Sequence, residues 1–221
     1  MAATGPARGR FITMEGGEGA GKSTQLRLLA EALREDGLMV VTTREPGGSP
    51  GAEAIRALLV SGETERWDGV TEALLHFAAR RDHLVRTVWP ALERGHWVLC
   101  DRFADSTLAY QGFGHGLDPE VIASLYRVAV GHFAPDLTLV LDLPVEDGLK
   151  RAGSRGSAGG GGGAEDRYER MGLGFHQRLR QGFLGIAAAN PMRCAVIDAA
   201  ASPGKVHDDI LATVRARLPV P

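Results

Sequence analysis

The stretch Gly16–Thr24, GGEGAGKST, decides the fold of this 221-residue chain. It holds a glycine, four further residues and then Gly-Lys-Ser, which is the pattern of a phosphate-binding P-loop. Glycines at these positions let successive backbone N–H groups point into one concavity, where they bind phosphate oxygens. The apolar run before the loop, at 10–15, predicts a buried strand, and leucines at helical spacing predict a helix over 22–36. A P-loop between a strand and a helix is therefore expected.

The same alternation of strand and helix continues along the chain. Apolar β-branched runs predict further strands at 38–43, 96–101, 136–143 and 194–198. Helices are predicted at 52–60, 70–94, 119–132, 176–189 and 204–218. Strict alternation implies βαβ units, so we expect an α/β P-loop NTPase fold with a five-stranded parallel sheet flanked by helices on both faces.

Domain organisation follows from composition along the chain. One domain is expected over 10–218, preceded by a flexible N-terminus at 1–9. Five consecutive glycines at 159–163 do not hold a fixed conformation cheaply, so a mobile lid rich in glycine and arginine is expected at about 150–170. The basic residues that flank this tract are Lys150, Arg151, Arg155, Arg167 and Arg170.

Overall charge and cysteine content limit the partners and the compartment. A formal net charge of −2 argues against a nucleic-acid partner. No apolar run reaches the length of a membrane span, so no membrane partner is expected. Cys100 and Cys194 fall in strand-like runs and are expected to be buried free thiols. A cytoplasmic location is therefore predicted.

The P-loop predicts a site for ATP and Mg²⁺. Lys22 would reach the β- and γ-phosphates, Ser23 would ligate Mg²⁺, and the following helix would offer its N-terminus to the anion. A second metal ligand is expected at the end of a neighbouring strand, where Asp101 is favoured over Asp142 because Arg102 follows it directly. For Asp142 a supporting or helix-capping role is the alternative. The residues expected to bind the nucleotide are Gly16, Gly17, Glu18, Gly19, Ala20, Gly21, Lys22, Ser23 and Thr24.

Among P-loop classes, the sequence favours a kinase. The guanine-reading motif N-K-x-D is absent, because the one asparagine, Asn190, precedes proline. A kinase needs an acceptor region rich in arginine and aromatic residues, and a lid that excludes water. Candidate acceptor residues lie in or beside loops after the strands: Arg44, Arg80, Arg81, Arg102, Tyr110 and Gln111.

Several motifs together resemble bacterial thymidylate kinase. They are TREPGG at 43–48, AARRDH at 78–83 and DRFADSTLAYQG at 101–112, with the P-loop. The resemblance covers nearly the whole chain. It implies transfer of a phosphoryl group from MgATP to dTMP, giving ADP and dTDP in dTTP biosynthesis, usually by a homodimer.

The resemblance also implies a role for individual side chains. Arg102 would clamp the dTMP phosphate and the transferring group, and Asp101 would hold Mg²⁺ directly or through water. Arg44 would help fix the acceptor phosphate from the turn that contains Pro46. Tyr110 would pack on the deoxyribose, where a 2′-hydroxyl would crowd it.

At the base, the resemblance implies that Arg80 hydrogen-bonds the thymine edge. Ser106, Thr107 and Gln111 are the candidates for the positions near the base. Many relatives have an aromatic side chain that stacks on thymine four residues before this arginine. That position here is His76, with Phe77 beside it, and either ring is a candidate.

Two further expectations concern catalysis. Some relatives have a catalytic arginine in the P-loop, which here reads Gly17-Glu18-Gly19-Ala20 without one. The lid would then supply it, with Arg151 and Arg155 as candidates. Glu18 is expected to pair with a lid arginine or to lie near the acceptor sugar.

Two alternatives remain open at this point. One is a kinase of another pyrimidine nucleoside monophosphate on the same scaffold. The other is a non-catalytic nucleotide-binding module or regulatory ATPase, against which the intact Lys22-Ser23 and Asp101-Arg102 pairs argue.

Overall fold

A parallel sheet forms the centre of the molecule in the computed structural model, which describes residues 8–158, 167–168 and 170–218, with 155–158 as backbone alone. Within this part of the chain the sheet has five strands in the order β2-β3-β1-β4-β5, all parallel. They are β1 Phe11–Glu15, β2 Val40–Arg44, β3 Trp97–Asp101, β4 Leu137–Asp142 and β5 Cys194–Asp198. The predicted five-stranded parallel sheet is confirmed.

Helices cover both faces of the sheet. They are α1 Lys22–Glu35, α2 Pro50–Leu59, α3 Gly69–His83, α4 Trp89–Glu93, α5 Ala104–Thr107, α6 Pro119–Ala129, α7 Val145–Ala158, α8 Leu173–Ala189 and α9 Pro203–Arg217. Asp68 caps α3, because its side chain accepts hydrogen bonds from the backbone N–H groups of Val70 and Thr71. None of the described helices has the length and apolar character needed to cross a bilayer.

Each face of the sheet packs against its own apolar cluster. On one face, Leu29 and Leu33 of α1 meet Ile210 and Val214 of α9. On the other face, Phe11 and Val98 belong to a cluster around the segment that follows α3. Every residue of β1 is buried, including the polar Thr13 and Glu15, as expected for a central strand of a parallel sheet that is covered on both faces.

Two segments differ from the sequence-based expectations. The helix predicted over 70–94 consists of α3, a π-helical stretch Leu84–Val88 and α4, because Pro90 has no N–H to continue a regular ladder. The segment that was expected to carry Tyr110 and Gln111 in or beside a loop is helical: α5 leads directly into a π-helical stretch, Leu108–Gly114. Of the expected lid and N-terminus, residues 1–7, 159–166 and 169 lie outside the described residues.

Candidate functional site

The P-loop connects β1 to α1, and its backbone leaves no room for a side chain at two of its glycines. Gly16 has φ 133° and Gly19 has φ 70°. A Cβ atom would lie 2.4 Å from the carbonyl oxygen of Leu141 at Gly16, and 2.0 Å from that of Gly148 at Gly19. Only glycine fits at these two positions, and it allows the loop to curve around a phosphate. The helix α1 begins directly after the loop, at Lys22.

Lys22 is buried inside this loop. Its Nζ donates hydrogen bonds to the carbonyl oxygens of Gly16 at 3.1 Å and Gly17 at 2.8 Å. Burial, followed by the charge of Arg102, lowers the pKa of Lys22 to about 8, against the opposing charges of Glu18 and Asp101. A bound phosphate would favour the charged amine, so the lysine is suited to an anionic ligand.

Ser23 and Asp101 lie together at the rim of the loop. The Ser23 hydroxyl donates to Asp101 Oδ2 at 2.6 Å. Asp142 instead forms a two-point ion pair with Arg180, at 2.7 and 2.9 Å. Among the described residues no cluster of three or more His, Cys, Asp or Glu side chains forms a metal site. The pair of oxygen donors nevertheless suits Mg²⁺, which usually takes one or two protein ligands together with substrate phosphates.

Arg102 reaches across from the end of β3 to the P-loop. It has φ 71°, a left-handed conformation that costs a non-glycine residue about 1–2 kcal/mol. Its Nη1 donates to the Gly16 carbonyl oxygen at 3.1 Å, and its Nη2 contacts Glu18 Oε1 at 2.8 Å. The Tyr110 hydroxyl donates to the same carboxylate oxygen at 2.5 Å.

Glu18 is thus paired with Arg102, and the expected pairing with a lid arginine is not observed among the described side chains. Burial alone would raise the pKa of Glu18. The charges of Arg102 and Lys22 and the Tyr110 hydrogen bond outweigh it and lower the pKa to about 2. Glu18 therefore remains a carboxylate that fixes both Arg102 and Tyr110.

Glu15, which the sequence analysis did not single out, accepts hydrogen bonds from residues that follow Arg102 in the chain. Its carboxylate accepts hydrogen bonds from the Phe103 N–H at 2.7 Å and the Ser106 hydroxyl at 2.5 Å. Burial, followed by the charge of Asp105, raises the pKa of Glu15 to about 7, against the hydrogen bonds and the charge of Arg102. A carboxyl residue at the end of a buried strand was the sequence signal that could have identified Glu15.

A cavity beside the P-loop brings together most of the residues predicted for the acceptor. Its lining residues are Glu18, Glu45, Pro46, Arg56, Val60, His76, Arg80, Arg102, Phe103, Ser106, Thr107, Tyr110, Gln111 and Tyr168. The sequence analysis did not predict five of these residues: Glu45, Arg56, Val60, Phe103 and Tyr168. Arg56 donates to the Pro46 carbonyl oxygen at 2.8 Å, which places a guanidinium at the mouth formed by the TREPGG turn.

Three of the predicted substrate residues lie elsewhere. Arg81 donates to the Ala129 carbonyl oxygen at 3.2 Å and lies over the Trp89 ring. Arg44 lines a neighbouring cleft with Ser23 and Asp101, and its Nη2 contacts Glu53 at 3.2 Å. Phe77 is buried in the core, where its ring meets Tyr126 edge to face. Of the two candidate stacking rings, His76 is the one that lines the cavity.

Two residues that line the cavity each have a buried polar atom, one a donor and one an acceptor, without a hydrogen-bond partner in the described part of the chain. They are Arg80 Nη1 and Gln111 Oε1, both buried. The rest of the Arg80 guanidinium is held by Glu45 at 2.8 Å and by Thr107 at 3.0 Å. The Gln111 amide nitrogen donates to Glu72 at 2.6 Å. Buried polar atoms without partners carry a free-energy cost, so this pair indicates a polar ligand edge.

His76 forms a hydrogen-bond chain with Tyr168 and Glu72. The Tyr168 hydroxyl donates to Glu72 Oε1 at 2.9 Å and lies 3.1 Å from His76 Nε2. Burial, followed by the charges of Arg80, Arg167 and Arg102, lowers the pKa of His76 to about 3, so the imidazole is neutral. Because the hydroxyl proton is directed to Glu72, His76 donates through Nε2–H.

The basic residues around the glycine tract have separate positions. Arg167 is fully buried, where its Nη2 meets Glu72 at 2.5 Å and its other nitrogens meet backbone carbonyl oxygens of Leu59 and Glu63. Arg151 donates to the Ala199 carbonyl oxygen at 3.1 Å. The side chain of Arg155 lies outside the described residues.

Comparison with known proteins gives a consistent result. Residues 14–210 match the family model for thymidylate kinase. A thymidylate kinase of Caulobacter vibrioides is 56% identical over 211 residues, which cover 96% of this chain and 98% of the relative. One from Bradyrhizobium sp. strain ORS 278 is 53% identical over 214 residues, which cover 97% of this chain and 93% of the relative. The crystal structure of thymidylate kinase from Ehrlichia chaffeensis has a TM-score of 0.73 and 35% identity, and the match covers 94% of this chain and 99% of that one.

Proposed function

Since the chain belongs to the thymidylate kinase family, we propose that it transfers the γ-phosphoryl group of ATP to dTMP, giving ADP and dTDP. The P-loop is the proposed donor site and the adjoining cavity is the proposed acceptor site. Glu18 belongs to both, because it is part of the loop and also lines the cavity.

The donor site fits MgATP on its own geometry. Gly16 and Gly19 leave no room for a Cβ, the Lys22 amine lies within the loop, and α1 begins directly behind the loop. Ser23 and Asp101 would hold Mg²⁺ together with phosphate oxygens. Bound MgATP would supply the transferring phosphoryl group and neutralise part of its charge. We propose that the backbone N–H groups of Gly16 through Thr24 and the amine of Lys22 hold the phosphate chain in place.

One observation carries the choice of acceptor: the unpartnered donor Arg80 Nη1 and the unpartnered acceptor Gln111 Oε1 at one end of the cavity. Thymine presents an acceptor, O4, beside a donor, N3–H. The two pairs are complementary, and a site that leaves its polar atoms unpaired rejects ligands that lack the matching groups. We propose that His76 stacks on the base and that Ser106 and Thr107 support Arg102 and Arg80 rather than read the base.

The other end of the cavity suits the acceptor phosphate. Arg102 and Arg56 both line it, and a guanidinium presents a planar fork to phosphate oxygens. A phosphate oxygen of dTMP would form the new bond to the γ-phosphorus as the bond from that phosphorus to the β–γ bridging oxygen breaks. Arg102 would orient both phosphates, while Tyr110 packs against the sugar and Glu18 holds these two side chains. Arg44 would contribute from the neighbouring cleft.

The finer points of the proposal concern the lid and the assembly. We propose that the lid spans about 150–170 within one domain at 10–218, and that Arg151 or Arg155 supplies the catalytic arginine that the P-loop lacks. A homodimer is proposed, with the exposed apolar side chains of Val70 and Leu74 on α3 as support. A cytoplasmic location is proposed because both cysteines are buried free thiols.

The test is phosphoryl transfer from MgATP to a panel of dTMP, dUMP, UMP, CMP, AMP and GMP, with nucleoside diphosphate separated and quantified. Turnover that depends on dTMP is expected. Lys22→Met removes the phosphate-binding amine and serves as the inactive control. ADP formation that is independent of every acceptor would overturn the proposal.

A further inference from the structure

Glu72 lies behind the base end of the acceptor cavity and contacts several of its residues. Its side chain is 1% exposed. Oε1 accepts hydrogen bonds from Gln111 Nε2 at 2.6 Å and from the Tyr168 hydroxyl at 2.9 Å. Oε2 lies 2.5 Å from Arg167 Nη2. The carboxylate is thus surrounded by donors.

These contacts determine which end of the Gln111 amide faces the cavity. An ionised carboxylate only accepts hydrogen bonds, so the amide must turn its NH₂ group toward Glu72. The opposite orientation would set the amide oxygen against a carboxylate oxygen in a buried site. Gln111 Oε1 consequently faces the cavity as an acceptor.

We propose that Glu72 is a positioning residue that sets the base specificity of this enzyme by holding Gln111 as a hydrogen-bond acceptor. The inference rests on the proposed function. An acceptor at this position matches N3–H of thymine, whereas cytosine presents a bare N3 there and an amino group at position 4. Cytosine therefore faces Gln111 acceptor to acceptor and Arg80 donor to donor.

Glu45, a second buried carboxylate at the cavity, differs from Glu72 in its effect. Glu45 holds Arg80 through Nε at 2.8 Å. A guanidinium has hydrogen-bond donors only, so Arg80 presents donors to the cavity in any orientation. Glu45 fixes where Arg80 lies, while Glu72 fixes the polarity of Gln111.

The test is Glu72→Gln, which keeps the shape but lets the group at 72 donate or accept. The Gln111 amide can then turn over. Three acceptors are compared: dTMP, dCMP and the 5′-monophosphate of 2′-deoxyribosylpyrimidin-2-one, which has a bare N3 and only a hydrogen at position 4. The kcat/KM ratio of the pyrimidinone nucleotide to dTMP should rise by roughly 10- to 100-fold. In the variant, Gln111 can turn its NH₂ group toward the bare N3, so the free-energy cost of placing two buried acceptors against each other is relieved. The ratio for dCMP should rise less, since Arg80 still opposes its amino group.

Glu45→Gln is the matched control. It should lower turnover of dTMP without raising either ratio. If Glu72→Gln fails to fold because Arg167 loses its partner, Glu72→Gln with Arg167→Met replaces the ion pair by a neutral pair and is tested in its place. In a Gln111→Met background, the substitution at 72 should no longer change the ratio.

The outcomes separate the inference from the proposed function. Wild-type protein that does not phosphorylate dTMP would contradict the proposed function itself. Wild-type protein that prefers dTMP, combined with a variant at 72 that lowers all three acceptors by one common factor, would overturn the inference alone.

Discussion

Replacing Glu15 with Gln should make the stability of the protein less dependent on pH. Glu15 is fully buried at the end of β1 and accepts hydrogen bonds from the Phe103 N–H and the Ser106 hydroxyl. Glutamine can keep both contacts, because its carbonyl oxygen accepts from Phe103 and its NH₂ donates to the Ser106 oxygen. The substitution therefore removes the titration while preserving the shape.

The size and sign of the effect follow from the raised pKa. The pKa of Glu15 rises from 4.5 to about 7 on folding, chiefly through burial. At about 1.4 kcal/mol per pKa unit, this difference amounts to roughly 3 kcal/mol. Between these two pH values the folded state binds more protons than the unfolded state. The stabilising contribution of the protonated group is therefore complete below pH 4.5 and is lost as pH rises through about 7.

Urea unfolding at pH values from 4.5 to 8 measures this directly. The free energy of unfolding of Glu15→Gln minus that of the wild type should increase by roughly 3 kcal/mol across the range. Taking the difference cancels the other titrating groups. Glu31→Gln on the exposed surface of α1 provides the background curve. A difference that stays constant with pH would refute the reasoning that Glu15 is protonated on folding.

Three further predictions concern the site. Arg102→Ala should lower kcat/KM for dTMP by roughly 100-fold or more, since it removes the donors that are proposed to orient both phosphates. Unchanged turnover would contradict this role of Arg102. Tyr110→Ala should raise the kcat/KM ratio of UMP to dUMP by about tenfold, because it opens space for a 2′-hydroxyl. Steady-state kinetics with the two nucleotides measure this ratio, and an unchanged ratio would show that Tyr110 does not crowd that position. Either Arg151→Ala or Arg155→Ala should lower kcat by roughly 10³- to 10⁵-fold, with little change in the KM for dTMP. If single-turnover rates are unaffected in both variants, a lid arginine is not required for catalysis.

The parts of the fold that could be predicted are those specified by local sequence. The P-loop pattern, together with a buried run on one side and a leucine period on the other, requires only neighbouring residues. The helical segment at 104–114 was missed because its stability comes from distant contacts: Tyr110 packs against Phe175 and Phe183 of α8. Its own sequence, with two glycines near the end, gives a weak helical signal.

Within the site, the same distinction holds. Asp101 and Asp142 each end a strand beside β1, and only the position of Arg180 shows that Asp142 is already paired. Tyr168 meets Glu72 across 96 residues of sequence, and no pattern within either segment announces that contact. Residue type therefore predicted many of the side chains that line the cavity, while non-local packing determined which partner each side chain has.

The position of Glu18 has a thermodynamic consequence. Its backbone belongs to the loop that would hold the phosphates of one substrate, while its carboxylate fixes Arg102 and Tyr110 in the cavity of the other. A change in the loop on nucleotide binding would thus be passed to the cavity through Glu18, and also through the hydrogen bond of Arg102 to the Gly16 carbonyl oxygen. Linkage then requires reciprocity: the factor by which a non-hydrolysable ATP analogue tightens dTMP must equal the factor by which dTMP tightens the analogue. Glu18→Gln, which weakens the hold on Arg102, should bring both factors closer to one.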